Sequence, residues 1–241
     1  MDDSLTLLGF GPEGWGHALL NGGLMTLTVS GCAFAFGLGL GTLLAWARIA
    51  GAAPVQRLAQ GYGVVMRGIP DLLVIYLFYF GGRQVASAVA KQFGHVGPVE
   101  ISGFAAGCLA IGLLSGATQA EVLRGAFHAI APGTLEAARV TGMGRWTMFR
   151  RIIAPLALRT ALPGLGNQWQ SVIKESALVS VTGLVETLRA VTVAANSTEL
   201  PFLFFLAGGA IYLVITTISG FLFRIAEWRS MRGQPATVGR G

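Results

Sequence analysis

The sequence of 241 residues is 53% hydrophobic but only 12% charged, and its mean hydropathy is +0.64. Soluble domains carry about 25% charged residues, so this composition excludes an ordinary soluble protein and indicates a polytopic membrane protein. The net charge of +6 would suit a nucleic-acid-binding protein, but the placement of the arginines, described below, accounts for it without nucleic acid.

Five apolar runs predict five transmembrane helices, at about 19–47, 58–80, 101–126, 162–184 and 202–223. The first run contains Gly37 and Gly41 at the spacing of a GxxxG motif. The third run carries further glycines, namely Gly103, Gly107, Gly112 and Gly116. Small residues at such spacings let helix backbones approach closely in a membrane, so we expect these two helices to pack tightly.

The second run is interrupted between Arg67 and Asp71, where Pro70 removes a backbone donor. A broken helix within a membrane is tolerated where it lines a cavity or is buried in protein. Alternatively, the residues before Arg67 lie at the cytoplasmic interface and Arg67 only marks the entry of the span.

The third run ends with Glu121 and Arg124, which are three residues apart and therefore share one face of a helix. We expect the two side chains to form an ion pair. The pair belongs either to the transport pathway or to a structural feature that only sets the depth of the helix.

The fourth run is unusually polar, and Lys174 and Glu175 fall near its middle. A charge at the centre of a span costs about 2.5–3.5 kcal/mol on insertion scales, so it needs a partner, water or a pathway. Adjacent helical residues point about 100° apart, so these two do not simply neutralise each other. The sequence predicts either a functional site here or a structural ion pair between helices.

A polar, arginine-rich stretch at about 132–155 separates the third and fourth runs. Glu136, Ala137 and Ala138 are predicted to form the first turn of a short helix, with Thr134 as its N-cap and Gly142 as its stop. A second basic segment follows and contains Trp146. A membrane-surface helix resting on anionic lipid is the alternative interpretation of this stretch.

Orientation follows from the lysines and arginines. The acidic N-terminus and the predicted loops 81–100 and 185–201 share one side, which carries Arg83, Lys91 and Arg189. Of the 17 basic residues, thirteen lie on the other side, and Lys174 lies within a span. We therefore expect an external N-terminus, a cytoplasmic C-terminus and a cytoplasmic central stretch.

The sequence contains no Walker-type phosphate loop, so the chain is not expected to hydrolyse nucleotides itself. Metal-site motifs and a catalytic constellation are also missing from it, which disfavours an integral-membrane enzyme. Five spans are few for a complete transporter, because such proteins usually contain two structural repeats. The sequence thus indicates one half of a larger assembly.

The central stretch resembles the EAA loop of ABC-type importer permease subunits. The resemblance rests on Glu136, Ala137, Ala138 and Gly142, followed at the family's spacing by Ile152 and Pro155. The segments 66–71, 121–127 and 161–170 are similar to the polar amino acid uptake branch, and most closely to the Q-type permease of histidine/lysine/arginine/ornithine or octopine/nopaline systems.

The resemblance implies the transmembrane domain of a type I importer in a bacterial inner membrane, all-α, with five spans and a cytoplasmic coupling helix. Its partners would be a homologous second permease in a heterodimer, two cytoplasmic ATPases that use ATP and Mg, and a periplasmic binding protein. Besides membrane lipid no other partner is expected, and no cofactor or metal on this chain.

The docking residues implied are Glu136, Ala137, Ala138, Gly142, Ile152 and Pro155, with Pro155 ending the arm that leads into the fourth span. The pathway or substrate residues that we predict are Arg67, Pro70, Asp71, Glu121, Lys174 and Glu175. An ion-coupled secondary transporter or channel, with Lys174 and Glu175 as a charge relay, is the alternative function.

Overall fold

The computed structural model describes residues 6–94, 97 and 99–231, and these are folded as a helical bundle. The N-terminal aspartates and two arginines of the charge count, Arg232 and Arg240, lie outside the described residues. The principal helices are α1 (Gly16–Ala50), α2 (Ala53–Gly68), α3 (Asp71–Gln92), α4 (Gly103–His128), α5 (Pro132–Val140), α6 (Arg145–Thr182), α7 (Thr187–Thr198) and α8 (Pro201–Met231).

By length and composition, α1, α3, α4 and α8 can each cross a membrane. Helices α6 and α7 supply a fifth span if the pair, bent by 54°, is counted as one. The expectation of an all-α chain with several spans is therefore confirmed, with four or five candidate spans among the described residues.

Helices α1 and α4 pack against each other through their glycines. A Cβ on Gly41 would lie 3.0 Å from the carbonyl oxygen of Gly116, and one on Gly112 would lie 3.1 Å from the carbonyl oxygen of Ala33. The backbones of the two helices are thus close enough that side chains larger than hydrogen do not fit at these positions. The predicted tight packing of the first and third runs is confirmed.

The second predicted span, 58–80, differs from the structure. Helix α2 ends at Gly68, and Ile69 and Pro70 are extended, because the residue before a proline avoids the helical region. The apolar helix α3 begins only at Asp71 and continues to Gln92 through a π-helical turn at Leu77–Gly81. Much of the predicted loop 81–100 is therefore helical.

The first turn of α3 is anchored in the main core. Val74 and Ile75 are buried there together with residues of α1, α4 and α6, namely Val29, Ala33, Ala110, Ile111, Leu114, Val172 and Val179. This packing holds the beginning of α3 against three other helices.

Helix α6 crosses the position at which the sequence predicted an end. Pro155 lies at the start of a long α-helical segment, Ala154–Glu175, and directly follows a π-helical turn at Phe149–Ile153. The amide of Ala154 donates to the carbonyl of Phe149, five residues back. The wider turn accommodates a proline that has no amide hydrogen, so the helix continues and Pro155 does not end the arm.

The predicted loop 185–201 is also wrong, because it contains α7. Glu186 is the N-cap of α7 and accepts hydrogen bonds from the amides of Leu188 and Arg189, both at 2.8 Å. The apolar face of α7 is buried against α1 and α8 through Ala190, Val191, Ala194 and Ala195. The capping residue Glu186 and the helical spacing of the buried apolar residues are both features of the sequence that indicate a helix here.

Candidate functional site

Asp71 and Glu175 lie near enough to interact electrostatically, although about a hundred residues separate them in the sequence. Asp71 opens α3, immediately after the break, and Glu175 is the last residue of the α-helical part of α6. Both side chains are partly buried. The charged groups that act electrostatically on the Glu175 carboxylate are Asp71 and the neighbouring Lys174.

The Glu175 carboxylate is incompletely satisfied. Its Oε2 atom is buried, and no group within the described residues forms a hydrogen bond with it. The neighbouring Lys174 is exposed and forms no ion pair with Glu175 among the described residues. Buried carboxylate oxygens are normally paired because their desolvation is costly, so an unpaired one beside a second carboxylate is suited to receiving a cationic group.

The chain changes its helical geometry directly after Glu175. The α-helix tightens into a 3₁₀ segment, Ser176–Thr182, and Gly183 then takes a left-handed conformation with φ of 86°. Tightened segments of this kind often mark functional hinges. Glu175 therefore lies at a joint in α6, and it interacts electrostatically with Asp71, the first residue after the break between α2 and α3.

Arg67 and Glu121, two further residues predicted to line a pathway, belong to a different group. Glu121 Oε1 accepts hydrogen bonds from Arg48 at 2.6 Å and from Arg67 at 3.3 Å, and Oε2 accepts from Arg124 at 3.0 Å. The predicted pair of Glu121 with Arg124 is thus present. We call Arg48, Arg67, Glu121 and Arg124 the arginine cluster; it connects α1, α2 and α4.

A polar groove of about 430 Å³ separates α6 from α8. Asn167 and Gln170 contribute to it from α6, and Arg224 and Glu227 from α8. Asn167 and Lys174 are both exposed and lie about two helical turns apart, so they share one face of α6. The polar character of the fourth predicted span therefore has a structural counterpart in this groove.

Helix α5 is short and largely exposed. Its N-cap is Ala131, with Pro132 in the first turn, so the predicted cap at Thr134 is wrong and Glu136 falls beyond the first turn. Proline is favoured there because its φ angle already suits a helix. Glu136 and Ala137 are exposed, whereas Ala138 is buried and fixes the inner face.

The end of α5 is the one that the sequence predicted. Gly142 has a φ of 73°, and the amide of Met143 donates to the carbonyl of Ala138 at 3.3 Å. This is a Schellman motif, for which glycine is the preferred residue. Ile152 and Pro155 follow in α6, the former partly buried and the latter exposed.

Two charged residues with important contacts were not singled out in the sequence. Arg48 makes the shortest contact with Glu121, at 2.6 Å. Glu186 is fully buried and also accepts a hydrogen bond from Tyr212 at 3.0 Å. Both contacts join residues that are distant in the sequence, and no local spacing indicates them.

Comparison with known proteins decides the family. Residues 37–231 match the family described as the inner membrane component of binding-protein-dependent transport systems. The chain belongs to this family. Its members are transporter components, so membership also separates the chain from enzymes.

Similar members of this family include two characterised permeases. The chain is 53% identical to the octopine transport system permease protein OccQ of Rhizobium radiobacter, over 96% of this chain and 98% of that protein. It is 36% identical to the histidine/lysine/arginine/ornithine transport system permease protein HisQ of Escherichia coli K12, over 90% and 94%. These similarities confirm the resemblance to Q-type permeases.

A solved structure shows the same fold. A chain from the crystal structure of an amino acid ABC transporter with histidines superposes with a TM-score of 0.76 and 32% identity, covering 89% of this chain and 95% of that chain. The architecture of this inner membrane component is therefore that of an ABC importer transmembrane domain.

Proposed function

We propose that this chain is the permease subunit of an ATP-driven importer for cationic amino acids or opines. It supplies a translocation pathway, while hydrolysis of ATP with Mg takes place on two separate cytoplasmic ATPase subunits. A homologous second permease completes the pathway, and a periplasmic binding protein delivers the substrate. Family membership and the named functions of the similar permeases support this assembly.

The proposed orientation places the N-terminus outside and the C-terminus in the cytoplasm of a bacterial inner membrane. The end of the bundle that carries α5 also carries the arginine cluster and the basic segment beginning at Arg145. An excess of arginine marks the cytoplasmic side, which supports this orientation. Helix α5 is then available to an ATPase as the coupling helix.

The observation that carries the substrate class is the unpaired, buried carboxylate of Glu175 next to Asp71. Lysine, arginine and octopine carry a cationic side chain, histidine carries one when its imidazole is protonated, and all four have at least one carboxylate. In our proposal Asp71 and Glu175 bind the cationic group, Lys174 binds a carboxylate, and Pro70 holds the backbone open beside them. The two carboxylates and the one ammonium of the site are thus opposite in charge to the substrate groups that they would bind.

Replacing Glu175 with glutamine is expected to raise the half-saturating concentration of a cationic substrate about tenfold or more. A hydrogen bond to a charged group contributes about 1.5–3 kcal/mol, and each 1.4 kcal/mol is a factor of about ten. The measurement is uptake into proteoliposomes together with substrate-stimulated ATP hydrolysis. Glu199→Gln, at an exposed acid elsewhere in the chain, is the matched control. Unchanged uptake and ATPase stimulation in Glu175→Gln would reject this assignment.

The driving force distinguishes the importer from the ion-coupled alternative. Proteoliposomes containing the assembled complex should take up substrate only with internal ATP and an external binding protein, and uptake should survive collapse of the membrane potential. Uptake that follows the potential and proceeds without the ATPase subunits would favour a secondary transporter.

A further inference from the structure

We infer that Arg67 is a positioning residue that acts through Glu121: the arginine cluster fixes the break between α2 and α3 and thereby sets the place of Asp71. The inference rests on the proposed substrate site at Asp71 and Glu175. It removes Arg67 and Glu121 from direct contact with substrate and assigns them to the support of that site.

The hydrogen bonds of Glu121 leave no place for a substrate. A carboxylate offers about four lone-pair positions. Four guanidinium N–H groups occupy them: one from Arg48, one from Arg67, and the Nε and Nη2 groups of Arg124 at 3.2 and 3.0 Å. Three guanidinium groups around one carboxylate also leave an excess of positive charge, which repels a cationic substrate.

Arg67 is held by two helices at once. Its Nε donates to the carbonyl of Gly63 in its own helix at 2.9 Å, while its Nη2 reaches Glu121 of α4 at 3.3 Å. One residue later α2 ends, and the chain is extended at Ile69. The planar guanidinium therefore forms a rigid link between the end of α2 and Glu121 of α4.

The break is anchored on both sides. Before it lies Arg67, tied to α4 through Glu121, and after it lie Val74 and Ile75, buried in the main core. Asp71 stands between the two anchors and has no ion pair of its own among the residues described. When the first anchor is released, the extended residues can shift, and Asp71 then moves away from its present position relative to Glu175.

The cluster has a fixed part and an exposed part. The side chains of Arg48 and Glu121 are 15% and 24% exposed, whereas that of Arg67 is 46% exposed and makes the longest of the contacts with Glu121. When Arg67 is removed, Arg48 still joins α1 to Glu121 of α4, and Arg124 still pairs with Glu121 within α4. Substitution of Arg67 consequently tests the position of the break while the bundle stays folded.

A double-mutant cycle of Arg67→Ala and Glu121→Gln tests the inference. The readouts are the half-saturating substrate concentration and the maximal uptake rate per complex in the membrane. If Arg67 acts through Glu121, each single variant raises the half-saturating concentration about fivefold at a nearly constant maximal rate. The double variant is then no worse than the more affected single one. Multiplied effects would overturn the inference, because they indicate that Arg67 contacts substrate itself.

Arg67→Lys supplies an independent measurement. Lysine keeps the charge, but its three N–H donors sit on a single nitrogen and lack the planar fork of a guanidinium, so it cannot reach Gly63 and Glu121 together. We expect Arg67→Lys to resemble Arg67→Ala; recovery of wild-type affinity would contradict positioning and support a simple charge contact with the substrate. Arg57→Ala, on the exposed side of the same helix, is the control.

The outcomes also separate this inference from the proposed function. Loss of ATP-dependent uptake in the wild-type complex would reject the importer. Normal wild-type uptake with unaltered affinity in Arg67→Ala would reject only the positioning role. A fall in maximal rate without a change in half-saturation would show a merely structural residue and would likewise overturn the inference.

Discussion

Replacing Gly41 with alanine is expected to destabilise the bundle by about 1–3 kcal/mol, the usual cost of overpacking a filled interior. The new Cβ would lie 3.0 Å from Gln119 Cβ, 3.0 Å from the Gly116 carbonyl oxygen and 3.1 Å from the Ala120 amide nitrogen. These atoms belong to the backbone or are bonded directly to it, so a side-chain rotation cannot relieve the contact. The thermal unfolding midpoint of the purified protein in detergent is the measurement.

Gly39 provides the matched control, because it lies on the same helix and a Cβ there would meet nothing within 4 Å. Alanine forms helix more readily than glycine by about 1 kcal/mol, so Gly39→Ala should unfold at the same temperature as the wild type or slightly higher. Equal unfolding midpoints for the two variants would contradict the close packing of α1 against α4.

The contrast between these glycines shows what the sequence could predict. GxxxG spacing is a local property, and it indicated that α1 and α4 each pack closely; only the structure shows that they pack against each other. Hydropathy also located the apolar segments. It placed the second span too early because an apolar average extends across Pro70, whereas the backbone conformation changes abruptly there.

The sequence suggested candidate site residues by their type, but it could not show how they are grouped in space. An intramembrane charge is a functional candidate by default, which drew attention to Glu175, and a role of Asp71 and Glu175 in transport stays a prediction. The sequence also placed Arg67 and Glu121 in that set, since it cannot show that three arginines from different helices converge on one carboxylate. Convergence of this kind is a tertiary property.

For α5, the sequence predicted one end of the helix correctly and the other wrongly. Gly142 was recognised because a Schellman motif requires one residue in a left-handed conformation, which glycine adopts without strain. The start of α5 was misplaced because Thr134 is a good cap in isolation, while Pro132 begins the helix earlier. Proline at the first turn thus outweighed the side-chain cap.

Replacing Gly142 with alanine is expected to reduce the number of substrate molecules transported per ATP hydrolysed by roughly 5–30-fold. A left-handed conformation costs a residue with a Cβ about 1–2 kcal/mol, and one or two kcal/mol shift a two-state equilibrium by that factor. The strain weakens the turn in which Thr141 and Gly142 donate to Ala137 and Arg139. If α5 is the proposed coupling helix, its end is then no longer fixed for docking on the ATPase. Uptake and ATP hydrolysis measured in the same proteoliposomes give the ratio.

Gly144→Ala is the control, because Gly144 has an ordinary φ of −64° and open space around its Cα. It lies two residues away in the same exposed segment, and its variant should couple like the wild type. Glu136→Ala, which removes an exposed charge of α5 without straining its turn, should loosen co-purification of the ATPase subunits. If Gly142→Ala and Glu136→Ala both retain a tightly bound ATPase and a normal transport ratio, α5 is not the element through which ATP hydrolysis drives the permease.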